Sequence, residues 1–296
     1  MTIILSSPGT PTIQSDYVLQ VQRLLHDANA QFTSVAEIKD YVNEARIRTV
    51  RDTGSYRVLQ TVFLSTGVEV YPFGGVTGFN VTAQGTGYGA NSTVTLSAPG
   101  ITGGVQATAT PSIAAGKITS IQVVNAGTLY QTAPTVTINP VGGGSGAAAT
   151  AYNIHSATID AVNISVFWGN SRRVLARWDW TTFNARARGW VNYLGLPQVF
   201  SVYSYNSLYI AKIPDQTYQA EIDSVLEPPP LIDDTTIEVI PLVMQDPIQY
   251  FAAHLAKIKA QRWDEADKFY DRYNLEVLKA LTASMTRGLK YPYGNR

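Results

Sequence analysis

The chain has no cysteine among its 296 residues. That excludes a disulfide frame, thiolate chemistry and zinc–sulfur sites, and it is compatible with the cytoplasm. Charge is also scarce, at 15% of residues, and it is balanced, with Lys plus Arg and Asp plus Glu at 22 each. A balanced chain offers no global electrostatic case for nucleic acid or an anionic membrane as partner. Long apolar runs are missing, and none approaches the roughly 18 residues of a membrane-spanning helix. The opening MTIILSSPGT lacks a basic stretch and a long apolar core, so no signal peptide is expected there. The three histidines, His26, His155 and His254, stand far apart in no metal-ligand spacing and read as ordinary surface or core residues. One residue type is plentiful. Tyr occurs 17 times, and Tyr favours surfaces that are apolar yet partly wet, which points to surface buried between subunits.

Composition divides the chain into three zones. Residues 1–71 open with helical signals. DYVLQVQRLLHDAN, from Asp16, places Val18, Val21, Leu24 and Leu25 on one face. SVAEIKDYVNEARIRTVRDTG then begins with Ser34 and Glu37 at capping-box spacing and carries Ile38, Val42, Ala45 and Thr49 at helical intervals. Gly54 is the expected terminator. The following YRVLQTVFLSTGVEVYPF reads as extended. Residues 152–296 return to this mixed character. Strands are predicted at ATIDAVNISVFWG, RRVLARWD, QVFSVYSYNSLYIA and TYQAEIDSVLE. A long helix or helical pair follows from Asp246–Pro247, with a stop at Gly288.

The middle zone is different. Across 76–151 Lys117 is the only charged residue, and Gly, Thr, Ala and Val dominate. VTGFNVTAQGTGYGANSTVTL aligns without a gap on ITSIQVVNAGTLYQTAPTVTI. Val76 matches Ile118, Gly85 matches Gly127, Tyr88 matches Tyr130 and Val94 matches Val136, a period of about 42 residues. Short alternating runs between Gly, Asn and Pro turns predict an antiparallel tandem β unit whose copies cover each other's apolar faces. The fold class expected is therefore α+β. It comprises a helical host domain with a small antiparallel β part (1–75 and 152–288), an inserted all-β repeat domain (76–151) and an extended tail (289–296). The insertion point falls between about Phe73 and Tyr152, at a surface loop.

Chemistry-bearing motifs are few. GTGYGA at Gly85 fits a dinucleotide fingerprint only in letters, because it runs into the strand NSTVTL and not into a helix. GGGSG at Gly142 lacks the Lys-Ser/Thr of a phosphate-binding loop. Asp233–Asp234 sits in a proline-rich turn, where Asp commonly caps. No nucleophile–base–orienter set is apparent. No catalytic residue, metal or cofactor is therefore expected. One cluster stands out: WGNSRRVLARWDWTTFNARARGW interleaves Arg172, Arg173, Arg177, Arg186 and Arg188 with Trp168, Trp178, Trp180 and Trp190. Basic and aromatic interleaving suits single-stranded nucleic acid, a protein interface, or a plain strand–loop with Trp inward and Arg solvated. The balanced net charge counts against nucleic acid.

The order of FTSVAEIKDYVNEARIRTVR, RRVLARWDWTTFNAR, GLPQVFSVYSYNSLYIAKIPDQTYQAEIDSVLEPPPL and IPLVMQDPIQYFAAHLAKIKAQRWDEADKFYDRYNLEVLKAL resembles head–tail adaptor (connector) proteins of short-tailed bacteriophages. The likeness covers about residues 16–72 and 152–285. The middle repeat resembles a G-x-G-Y…P-x-V-T-I unit of phage virion proteins, with Ser92 in place of Pro and Leu129 in place of Gly. The resemblance implies a structural virion protein without enzymatic activity. It would form a homo-oligomeric ring, commonly of twelve subunits, below the portal protein at the head–tail interface, after assembly in the host cytoplasm. Tail or nozzle proteins would dock on the far side, DNA would pass through the channel without specific binding, and no membrane would be involved. The resemblance assigns portal docking to the C-terminal segment Leu289, Lys290, Tyr291, Pro292, Tyr293, Gly294, Asn295 and Arg296. It makes the duplicated module a decoration on the ring's outer rim. Two other classes remain in view: a carbohydrate- or receptor-binding tail protein, and a cell-envelope hydrolase, for which no carboxylate pair is evident.

Overall fold

The computed structural model describes residues 13–188 and 193–285. The elements begin with α1 (Gln14–Leu25), α2 (Val35–Thr53), β1 (Arg57–Leu64) and β2 (Val70–Pro72). The duplicated zone supplies β3 (Val76–Thr86), β4 (Thr93–Leu96), β5 (Thr108–Ala114), β6 (Lys117–Asn125), β7 (Val136–Asn139) and β8 (Ser145–Asn153). There follow β9 (Thr158–Trp168), β10 (Ser171–Val174), β11 (Ala176–Arg177), α3 (Trp180–Arg186), β12 (Val199–Tyr203), β13 (Ser207–Ala211) and β14 (Tyr218–Leu226). The described chain ends with α4 (Asp246–Lys259) and α5 (Trp263–Met285), a helical pair. The chain divides into two units, 13–56 with 227–285, and 57–226.

The first unit holds α1, α2, α4 and α5. Ser34 caps α2 as its spacing predicts: Ser34 Oγ accepts from Glu37 N at 3.3 Å, and Ser34 N donates back to the Glu37 carboxylate at 3.1 Å. Gly54 closes the helix in the left-handed region, at φ 60°. Ile38, Val42, Ala45 and Thr49 are all fully buried. The segment entering α4 is fixed from within. Arg46 and Glu238, each 1% exposed, meet through two guanidinium–carboxylate hydrogen bonds of 2.8 and 2.7 Å. Arg46 also donates to Pro229 O at 2.7 Å, while Tyr17 Oη and Ile240 N donate to Glu238 at 3.1 and 3.0 Å. A buried charge pair is tolerable only when its remaining donors and acceptors are satisfied in this way.

The second unit carries all fourteen strands. Two four-stranded sheets, ordered β1-β14-β9-β10 and β11-β12-β13-β2, share one core. That core includes Val62, Leu64, Ile164 and Val166 from the first sheet and Phe200, Leu208 and Ile210 from the second. Leu175 is the corner where the chain changes sheets. Its N–H donates to Ile164 O at 2.9 Å, and the next residue, Ala176, donates to Gln198 O at 2.9 Å.

The duplicated zone adds a two-stranded sheet, β3-β8, and a four-stranded sheet, β6-β5-β4-β7, over a core of its own. Its two copies exchange strands. The first strand of copy one (β3) pairs with the last of copy two (β8), and the first of copy two (β6) pairs with the last of copy one (β5). The middle strands pair with each other. Val94 lies opposite Ile138, Leu96 opposite Val136, and Thr95 opposite its own counterpart Thr137, so a pseudo-twofold axis passes through that pair. The same symmetry places Gly85 and Gly127 at φ 63° and 67°, each beneath the ring of the Tyr three residues on. Tyr88 Oη accepts from Ala147 N at 3.1 Å, and Tyr130 Oη from Ala107 N at 3.0 Å, so each Tyr reaches into the opposite copy. Tyr88 N donates to Gly116 O at 3.0 Å and Tyr130 N to Gly74 O at 2.9 Å. The hairpin turn at Gly116 is thus the counterpart of the point where the module leaves the sandwich. The entering and leaving chains run side by side there, with Gly74 N donating to Ile154 O at 2.9 Å.

These findings overturn the expected helical host with a small antiparallel β part. Strands flanking the repeat build a complete two-sheet sandwich, and the chain is mostly β, with fourteen strands in four sheets against five α-helices among the described residues. α+β holds only loosely. The physical reason is long-range pairing: β1 lies on β14, with Arg57 opposite Val225 and Leu64 opposite Tyr218, which no local pattern announces.

Candidate interaction surface

The Arg- and Trp-rich stretch lies in the second unit, and the fold splits it into two places. At the β9–β10 hairpin, Arg172 pairs with Glu221 at 2.9 Å and lies over Phe167, 4.8 Å from its ring centroid. Arg173 lies over the half-exposed Trp168 at 4.8 Å. Arg177, on β11, holds Asp160 through two hydrogen bonds of 2.9 Å and donates to Ala161 O at 3.1 Å. Arg172 and Arg177 are therefore consumed by carboxylates of their own unit.

The second place is built on α3. Asp179 caps this short helix, accepting from Thr182 N at 2.8 Å, and that bond holds its carboxyl below the usual range. Trp180 then stacks among Tyr203, Tyr209 and Phe183, with ring centroids at 4.4, 4.6 and 5.9 Å. Arg188 lies over Trp180 and Tyr209 at 5.7 and 5.5 Å and pairs with Glu69 at 2.9 Å. Beside this shelf is a cleft of about 490 Å³, lined among others by Glu69, Trp178, Arg186, Arg188, Tyr193, Gln198 and Lys212. Lys212 stands 4.5 Å from the Tyr193 ring centroid. The hairpin joining β12 to β13 places Ser204 and Tyr205 in the left-handed region, at φ 53° and 55°, and leaves Tyr205 77% exposed.

Of the residues singled out in the sequence, Trp178, Trp180, Arg186 and Arg188 come together here, whereas Arg172, Arg173 and Arg177 stand elsewhere. Trp190 and the segment Leu289–Arg296 lie outside the described residues. Glu69, Tyr193, Tyr209 and Lys212 were not singled out, and the high Tyr count was the only signal that touched them. His254 and His155 play local structural parts. His254 Nδ1 lies 2.9 Å from Ala266 O, and His155 Nδ1 accepts from Ala157 N at 3.0 Å. Asp233 caps its turn, accepting from Thr235 N and Thr236 N at 2.9 and 3.2 Å. Among the described residues no group of three or more His, Cys, Asp or Glu could hold a metal ion, and no helix is long and apolar enough to cross a membrane. Comparison with known protein families and with curated proteins finds no match.

Proposed function

We propose that the chain is a structural virion protein, the adaptor ring that joins portal to tail in a short-tailed bacteriophage and surrounds the DNA exit channel. The ordered sequence resemblance motivates this reading. The supporting structural observation is uncovered apolar surface. In the helical unit Phe32, Ile232, Ile237, Leu242, Trp263 and Leu278 are each more than half exposed, from 59% for Trp263 to 87% for Phe32. Burial between subunits would cover that apolar surface. In this reading Leu289–Arg296 docks on the portal, and the strand-exchanged module decorates the rim. Mass photometry of the purified chain tests the proposal. A closed ring gives a dominant species near twelve times the 32.2 kDa chain mass. A monomer that persists at every concentration, alone and with portal rings, overturns it.

A further inference from the structure

We propose that the cleft beside α3 is a docking site for an acidic segment of a partner polypeptide, one that carries carboxylates next to aromatic or aliphatic side chains. The cleft's volume, about 490 Å³, accommodates a few side chains of an extended peptide. Among the described residues its charged lining consists of Arg186, Arg188 and Lys212 against Glu69. Glu69 is already held by Arg188 at 2.9 Å. Arg186 and Lys212 have no ion-pair partner among the described residues, although Arg57, Arg172 and Arg177 of the same unit are each paired. Like charges lining one recess repel, and an anion placed between them relieves that repulsion. The guanidinium of Arg186 favours a carboxylate, which it can grip with two parallel hydrogen bonds.

The walls specify the rest of the occupant. Trp178 and Val199 line the same cleft, and Tyr193, 53% exposed, lies beneath the Lys212 ammonium. A free inorganic anion would leave these apolar groups in water, whereas a peptide with alternating acidic and apolar residues covers both. Nucleic acid fits less well. A phosphate track needs several free cations in a row, and Arg172, Arg177 and Arg188 are already bound to carboxylates of this chain. The inference is independent of the adaptor reading, since peptide binding can hold where ring assembly fails.

Fluorescence anisotropy with the full chain tests it, using three labelled probes. These are the hexapeptide Glu-Tyr-Glu-Leu-Glu-Glu, the same peptide with Gln for every Glu, and a single-stranded oligothymidylate. The acidic peptide is expected to bind at least about tenfold tighter than the Gln peptide, and more weakly as salt rises. Arg186→Glu with Lys212→Glu should remove that preference, and Arg186→Gln with Lys212→Gln should do the same if the first pair fails to fold. Equal binding of the two peptides, or unchanged affinity in a folded double variant, overturns the proposal. Tighter binding of the oligothymidylate than of the acidic peptide overturns it in favour of nucleic acid.

Discussion

Removing one oxygen from the interlocked module should weaken both of its copies. Tyr130 is 2% exposed, and its hydroxyl donates to Ser97 O at 2.9 Å while accepting from Ala107 N at 3.0 Å. In Tyr130→Phe the Ala107 N–H, on a residue 2% exposed, is left buried without an acceptor. An orphaned buried donor costs about 1–3 kcal/mol, and the lost bond to Ser97 adds about 1 kcal/mol, because that carbonyl can turn to water. The expected loss is about 2–4 kcal/mol, which lowers the Tm of a unit this size by roughly 5–15 °C. Its symmetry mate supplies the control. Tyr88 accepts from Ala147 N at 3.1 Å, and Ala147 is only partly buried, so Tyr88→Phe should cost about 0.5–1.5 kcal/mol. Urea denaturation gives both values, and amide hydrogen exchange shows where protection is lost. Because each Tyr reaches into the opposite copy, protection should fall together in β3, β5, β6 and β8. A larger cost for Tyr88→Phe, or loss confined to the copy carrying the substitution, would refute strand exchange as the source of the module's stability.

Arg46→Met should destabilise the helical unit by about 3–5 kcal/mol, since it strands the Glu238 carboxylate in the interior, and adding Glu238→Leu should recover a large part of that. A double-mutant cycle by chemical denaturation measures the coupling, and additive costs would contradict it. Burial lowers the pKa of His155, and its Nδ1 serves as an acceptor for Ala157 N–H, a role the protonated ring loses. The unfolded chain therefore binds a proton that the folded one resists, so stability is full above the ordinary His pKa of about 6.5 and falls as pH drops through it. Denaturation midpoints at about pH 7.5 and about pH 5.5 should differ more in wild type than in His155→Asn, and equal differences would reject the assignment.

Local features of this fold were legible in the sequence because they depend on neighbours along the chain. The Ser34–Glu37 cap, the Gly54 terminator and the buried row Ile38, Val42, Ala45 and Thr49 need only helical geometry. The duplication was visible because Gly85 and Gly127, and Tyr88 and Tyr130, answer the same backbone demands in both copies. Strand exchange was not visible, because a repeat aligned on itself gives the same pattern whether its strands pair within or between copies. The sandwich was missed for a related reason. Its extended segments were foreseen, but RRVLARWD was read as one strand and divides at Leu175 between two sheets, QVFSVYSYNSLYIA was read as one strand and folds into the β12–β13 hairpin, and β1 finds β14 across the whole repeat. The cleft was half legible: Arg186 and Arg188 stand in a conspicuous run, whereas Glu69 and Lys212 reach them only through the fold.

The adaptor proposal is tested most directly by mixing the chain with the portal rings that the proposal requires its genome to encode and imaging the product by electron microscopy. The account predicts a second ring stacked coaxially on the portal, lost when the chain is truncated after Arg287. A chain that stays unbound in the presence of portal rings, or binds them without forming a ring, would contradict it.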